Sequence, residues 1–251
     1  MKTQIKHLLL MALVISSLTA CKKESDDNDD TQNSGLPGQL HKITSSGNDL
    51  IIYSYDGTGK LTQEEIHNGN QTMTITYTYD NGKISNETGK YNGSTAYQYT
   101  YTYQNNKLDK CNIVGATQSY WQMHYDNGKI DYATQYIGGG ESKKMTYTYT
   151  GDNITEAQLL NRFGGTWELE KRYEFEYDNK HNPLHDLNVP FSEVISEFAN
   201  LVSPNNSTRI KEFDQNNLLV NDDQYQMTYN ADNYPTTTTE NNTTTYEFIY
   251  Y

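Results

Sequence analysis

The chain has 251 residues, 34% of them hydrophobic, with 32 acidic against 19 basic side chains for a formal net charge of −13. That acidity argues against nucleic acid and anionic membrane surfaces as partners, because both carry the same sign of charge. Only 2 cysteines accompany 23 tyrosines, too few thiols for a disulfide framework or a cysteine-bound zinc.

The first 20 residues read as a lipoprotein signal peptide. Lys2 and Lys6 form its basic start and Leu8 to Leu18 its apolar stretch, which is shorter than the ~20 residues of a permanent span. Leu18-Thr19-Ala20-Cys21 has the form of a bacterial lipobox, in which Cys21 is lipidated, becomes the new N-terminus and supplies the membrane contact. Residues 21–35 then form an acidic tether, with Asp26, Asp27, Asp29 and Asp30 in a solvated run. Losing Lys2 and Lys6 takes the charge from −13 to −15. Cys111 is then the one thiol without lipid, so no intramolecular disulfide is available.

Residues 36–251 read as one domain built on a repeat. Its core, Tyr-x-Tyr-Asp-Asn-Gly-Lys-Ile, runs from Tyr77 to Ile84, recurs with drift at Tyr101 to Leu108 and returns at Met123 to Ile130. Looser copies lie at Tyr53 to Leu61, Tyr147 to Ile154, Phe175 to Leu184, Lys211 to Leu218 and Met227 to Tyr234. The second aromatic falls at 55, 79, 103, 125 and 149, a period of about 24 residues that marks a repeat architecture. Strict alternation gives strands with one buried face: Met73, Ile75, Tyr77 and Tyr79 against threonines at every even position between them.

Asn-Gly accepts the positive φ angles of a type I′ turn. Centred on Asn81-Gly82, such a turn pairs Asp80 with Lys83 and Tyr79 with Ile84. The same separation of five relates Tyr103 to Leu108, Tyr125 to Ile130, Tyr149 to Ile154, Phe213 to Leu218 and Tyr229 to Tyr234. The expected fold is an all-β antiparallel meander of hairpins, curled into a barrel-like or superhelical sheet. One short amphipathic helix is expected at about 190–202, where Phe191, Val194, Ile195, Phe198, Leu201 and Val202 keep helical spacing between Pro190 and Pro204. It plugs or caps the sheet, or is presented to a partner.

No nucleophile elbow, zinc-protease helix, phosphate loop or dinucleotide fingerprint occurs, so neither a catalytic residue nor a metal or cofactor is expected. His181 and His185 have a metal-like spacing but flank Pro183, and Asp80, Asp126 and Asp178 serve turns. Trp121 shares the phase of Met123 and Tyr125, and Trp167 that of Leu169 and Tyr173, which places both on the core face. Tyr120 and Tyr136 have the opposite phase and are the candidate ligand-binding residues.

The hairpin motif Tyr-x-Tyr-Asp-x-x-Gly-x-Ile/Leu is similar to the YD repeat of Rhs-type and teneurin-like shells. With the lipobox and the insertion from Asn182-Pro183 to Ser203-Pro204, residues 36 to 251 resemble a family of Bacteroides-type lipoproteins of unknown function, the DUF4595 type. That resemblance implies a porin-like, curled β fold. The acidic tether also resembles the export signal of surface lipoproteins in Bacteroidetes. The expectation is a lipid-anchored outer-membrane protein at the cell surface, or alternatively on the periplasmic face. It is non-catalytic and binds a glycan or another envelope protein. A purely accessory lipoprotein is the alternative, and a glycan hydrolase would need two close, perturbed carboxylates.

Overall fold

In a computed structural model, the structure describes residues 35–115 and 119–251. The leader, Cys21 and the tether up to residue 34 lie outside the described residues. The first eight strands are β1 (Leu40–Ser45), β2 (Asn48–Tyr55), β3 (Leu61–Asn68), β4 (Gln71–Asp80), β5 (Lys83–Tyr91), β6 (Ser94–Gln104), β7 (Lys107–Ile113) and β8 (Ser119–Asp126). The second eight are β9 (Lys129–Ile137), β10 (Gly140–Thr150), β11 (Asn153–Phe163), β12 (Thr166–His181), β13 (Asn205–Phe213), β14 (Leu219–Tyr229), β15 (Pro235–Glu240) and β16 (Thr244–Tyr250). Each pairs antiparallel with the next, and β16 returns to β1 through Ile43 opposite Phe248, so the meander closes into a barrel. Closure leaves no unpaired edge among the described strands, which run from Leu40 to Tyr250.

Two turn chemistries close the repeat hairpins. In the Asn-Gly hairpins, Asn81 (φ 50°) and Gly82 (φ 81°) set Asp80 opposite Lys83 and Tyr79 opposite Ile84. Tyr125 meets Ile130 over Asn127-Gly128 in the same way, while Tyr103 meets Leu108 over Asn105-Asn106 and Tyr149 meets Ile154 over Gly151-Asp152 at the same separation. The expected pairs Phe213–Leu218 and Tyr229–Tyr234 are displaced by one residue: Phe213 meets Leu219 and Tyr229 meets Pro235. The reason is a longer loop capped by its first side chain. Asp214 Oδ1 accepts the N–H groups of Asn216 (2.8 Å) and Leu218 (2.9 Å), and Asn230 Oδ1 those of Asp232 and Tyr234 (both 3.0 Å). Asp56 does the same for Thr58 and Lys60, and Tyr55 accordingly meets Leu61.

Successive hairpins are joined by tyrosine hydroxyls. Tyr79 donates to the Leu61 carbonyl (2.7 Å), Tyr103 to Ile84 (2.8 Å), Tyr125 to Leu108 (2.9 Å), Tyr149 to Ile130 (3.1 Å) and Tyr177 to Ile154 (2.7 Å). The turn lysine of the preceding unit lies over the ring in four of these cases, Lys83 over Tyr103 at 4.8 Å for example. A register shift falls just before the second aromatic of each hairpin, as between Thr78 and Tyr79 or His124 and Tyr125. The extra residue bends the strand and reverses the side-chain phase beyond it. The inner face then carries Ile75, Tyr77, Ile84, Met123, Ala133, Met145 and Ile154, all buried.

In the unit that starts at Phe175, an insertion replaces the turn. Residues 182–204 hold a 3-10 turn, His185–Leu187, and the helix α1, Ile195–Val202. The helix is shorter than the expected 190–202, because Ser192 Oγ takes the Val194 N–H (3.1 Å) and holds the segment before it extended. α1 lies inside the barrel. Phe198 is 0% exposed and meets the Tyr147 ring at 5.1 Å, while Phe191 meets Trp121 at 5.6 Å. Asn182 Nδ2 donates to the carbonyls of Asn200 and Ser203, closing the helix C-terminus, and Ser203 Oγ bonds the Ile154 N–H and the Tyr177 hydroxyl. The insertion is therefore a fastened plug.

Candidate functional site

Outside, the wall is polar: Thr76, Thr78, Thr100, Thr102, Thr146 and Thr148 alternate with the buried row, and Glu174, Glu176, Arg209 and Lys211 follow on β12 and β13. The wall from β8 to β12 differs. Tyr120 and Tyr136 face each other across β8 and β9, their rings stacked at 4.9 Å and 13°. On the same face His124 stacks on Tyr132 at 4.2 Å and 16°. Lys144 on β10 lies over Tyr132 (4.9 Å) and also over Trp167 on β12 (4.6 Å), whose ring Arg162 approaches at 4.9 Å. Lys110 lies 5.0 Å from the Tyr120 ring. Burial, and then Lys144, hold His124 below the usual histidine range, so the imidazole stacks in its neutral form near neutral pH.

Both sequence candidates thus stand on the outer face and in contact. Three members of the row were missed. His124 and Tyr132 keep the outward phase of Tyr120 and Tyr136 at a spacing of four, which alternation could have shown. Trp167 was placed on the core face and is instead outside. The pairing slips between Leu159 and Leu160, so Lys171 and Leu169 face consecutive residues and the phase inverts between Tyr173 and Trp167. Trp121 is core as expected, 1% exposed, with its N–H on Glu193 Oε1 at 2.9 Å.

Inside, the plug brings two carboxyls, Glu193 and Glu197, toward two on the wall, Glu64 and Glu87. Each accepts from a neutral donor: Glu64 from Tyr77 (2.7 Å), Glu87 from Tyr97 (2.8 Å) and Tyr101 (2.6 Å), Glu197 from Ser192 (2.5 Å). Burial pushes Glu64 up to about 8 and Glu87 up to about 7, against the lowering effect of the phenol hydrogen bonds. Burial also raises Glu193 and Glu197. Glu64, Glu193 and Glu197 keep some accessible surface despite their depth, so the interior is not dry. Gly89 makes room for this network, since a Cβ there would sit 2.2 Å from the Tyr97 ring.

The remaining sequence candidates have structural partners. His185 Nδ1 lies 3.2 Å from the Leu201 carbonyl and His181 stacks on Tyr234. Asp178 accepts from the Lys180 N–H and the Tyr229 hydroxyl. Cys111 is 0% exposed and burial raises its thiol. Among the described residues no group of three or more His, Cys, Asp or Glu could hold a metal ion.

No family model matches the chain, and no curated protein sequence does. Among solved structures it is similar to a porin-like protein from Bacteroides uniformis ATCC 8492, at 12% identity and a TM-score of 0.52, over 86% of this chain and 99% of that one. A porin-like protein from Bacteroides vulgatus ATCC 8482 aligns over 85% of this chain and 99% of that one, with 13% identity and a TM-score of 0.43. The likeness to the first is one of fold.

Proposed function

We propose that the chain is a lipid-anchored, non-catalytic envelope protein that binds glycan chains along the outer wall from β8 to β12. The observation that carries this reading is the row of Tyr120, Tyr136, His124, Tyr132 and Trp167 on an otherwise threonine-rich exterior. Four strand spacings make the row about 19 Å long, enough for several sugar rings in line. Aromatic rings offer apolar faces to pyranose C–H groups, while the flanking Lys110, Lys144 and Arg162 offer donors to hydroxyls and uronic carboxylates. Cys21 anchors the protein to the outer membrane, with the barrel at the cell surface, or alternatively on the periplasmic side. The hairpin motif and lipobox support kinship with YD-repeat lipoproteins of the DUF4595 type. The plug and the polar wall favour a binding scaffold over a conduit, since a spanning barrel turns an apolar band outward.

The test is affinity electrophoresis and calorimetry of the chain from residue 22 onward against neutral and uronic-acid polysaccharides. Retention by one glycan class is expected, and Tyr136→Ala and Trp167→Ala should each weaken it about tenfold, the loss of one well-packed aromatic contact. No retention by any polysaccharide would sink the glycan reading. The mutual stacking of the rings favours one alternative, an accessory lipoprotein in which the row only braces the sheet. In that case both variants lower the melting temperature and leave every glycan unbound. Release of reducing sugar from a bound glycan would instead make the protein a hydrolase.

A further inference from the structure

The exposed apolar side chains gather at one end of the barrel. Successive hairpins of the closed meander alternate between its two ends, and the β9–β10, β11–β12 and β13–β14 hairpins share one of them. Their tips carry Ile137 (50% exposed), Phe163 (57%) and the run from Leu218 to Val220 (52% to 63%). At the other end stand Asn81-Gly82, Asn105-Asn106, Asn127-Gly128 and Gly151-Asp152, with no large exposed hydrophobic among them.

Two of these tips end the ribbons that carry the aromatic row. Tyr136 is followed at once by Ile137, and Trp167 stands opposite Arg162, the neighbour of Phe163. Gly138-Gly139 and Gly164-Gly165 close the two turns. A Cβ built on any of the four would meet nothing within 4 Å, so both tips stand clear of the rest of the barrel. Alternation puts Ile137 and Phe163 on the inner side of their ribbons, and Tyr136 and Trp167 on the outer side. Each tip is therefore apolar or aromatic on both sides. A protein partner or a soluble polysaccharide lying on the wall covers only the outer side. A bilayer that receives the tips end-on covers both, and tyrosine and tryptophan just behind an apolar end suit a membrane–water interface. Lys110 and Lys144 lie over the rings, and neither has a carboxylate partner among the described residues, whereas Arg162 pairs with Glu141 at 3.0 Å. In a chain of net charge −13 these two ammonium groups favour an acidic group on whatever sugar the rings hold.

We propose that the glycan taken by the outer row is the acidic sugar headgroup of a membrane glycolipid. Ile137 and Phe163 enter the acyl layer, the rings of Tyr136 and Trp167 lie at headgroup level, and Lys110 and Lys144 meet the acid group. This rests on the glycan reading of the row and adds the source of the glycan.

Flotation of the chain from residue 22 onward, which has no lipid of its own, tests this. The probes are phosphatidylcholine vesicles with and without a glucuronosyl diacylglycerol, beside a free glucuronate oligosaccharide. Flotation with the glucuronosyl vesicles is expected, with plain vesicles not bound and the free oligosaccharide bound more weakly. Ile137→Ser and Phe163→Ser change exposed side chains, so both variants should fold. Each should weaken vesicle binding about tenfold, the scale of one apolar side chain kept out of lipid, and leave oligosaccharide binding unchanged. Trp167→Ala should weaken both. Binding of the oligosaccharide without flotation would overturn the glycolipid and leave the glycan reading standing, as would tip variants that float like the wild type. Equal flotation with plain vesicles would overturn it in favour of bare lipid, and a dimer lost in Phe163→Ser in favour of a second copy of the chain. Binding of neither vesicle nor oligosaccharide would overturn both readings.

Discussion

One hydroxyl explains why the second aromatic of the repeat is tyrosine rather than phenylalanine. In Tyr79, Tyr103, Tyr125 and Tyr149 the ring fills the inner face of its own hairpin, and the oxygen crosses to a carbonyl of the hairpin before it. The ring therefore contributes packing within a unit and a hydrogen bond between units. Tyr125→Phe keeps the ring and removes the bond, so it should destabilise the barrel by about 0.5–1.5 kcal/mol. Tyr79→Phe should cost a similar amount, and because the two sites share no partner the double variant should show the sum within about 0.5 kcal/mol. Urea midpoints of the three variants decide it; an unchanged midpoint in both single variants would mean that water serves the carbonyls equally well. The pairing of Tyr79 with Ile84 was legible in the sequence, because the Asn-Gly turn fixes it locally. The bond to Leu61 was not, because it depends on how far one hairpin is shifted against the next.

Among elements, turns and bulges decide what can be read. An Asn-Gly pair states its own geometry, so the registers of the hairpins at Asn81-Gly82 and Asn127-Gly128 followed from the turn. Those at Asn105-Asn106 and Gly151-Asp152 followed from the constant separation of five. Asp214 and Asn230 lengthen their loops by capping two N–H groups each, and the same residue types also occur in two-residue turns. The bulges carry no residue signature, and for that reason Trp167 was assigned to the wrong face. The inserted helix was visible in its spacing, yet its position inside the barrel required the aromatic contacts Phe198–Tyr147 and Phe191–Trp121. Phe198 is the central anchor of the plug. Phe198→Ala should cost about 3–5 kcal/mol, the usual range for emptying a fully buried phenyl site. If the plug then leaves the interior, Trp121 loses Phe191 and Glu193 together, and its fluorescence should move to the red with Trp167→Phe as the background. A cost below 1 kcal/mol would show that the helix is only loosely seated.

At the scale of the whole molecule, closing the sheet creates an inside, and the plug fills it with carboxyls that no sequence pattern pairs. Glu64 on β3 and Glu197 on α1 are more than a hundred residues apart, and only the closed barrel brings them into one electrostatic unit. This unit makes stability depend on pH with a definite sign. Below about 4.5, the ordinary glutamate value, folded and unfolded chains both hold the protons. Between that value and 7 to 8 the unfolded chain releases them while Glu64 and Glu87 keep theirs. The unfolded state then binds fewer protons, so stability falls as pH rises through this window and levels off above it. His41 and His124, both held low by burial, act in the opposite direction up to the ordinary histidine value of 6.5. The carboxyl contribution is therefore isolated by comparison with variants. Glu87→Gln and Glu64→Gln carry no titrating group at their sites, so each should gain on the wild type as pH rises from 5 to 8. The gain should reach a few kcal/mol, on the order of 1.4 kcal/mol per pKa unit. The histidine contribution cancels in that difference. Urea midpoints at four pH values across the window measure it, and parallel curves for wild type and variants would mean that the interior carboxyls are already ionised in the folded barrel.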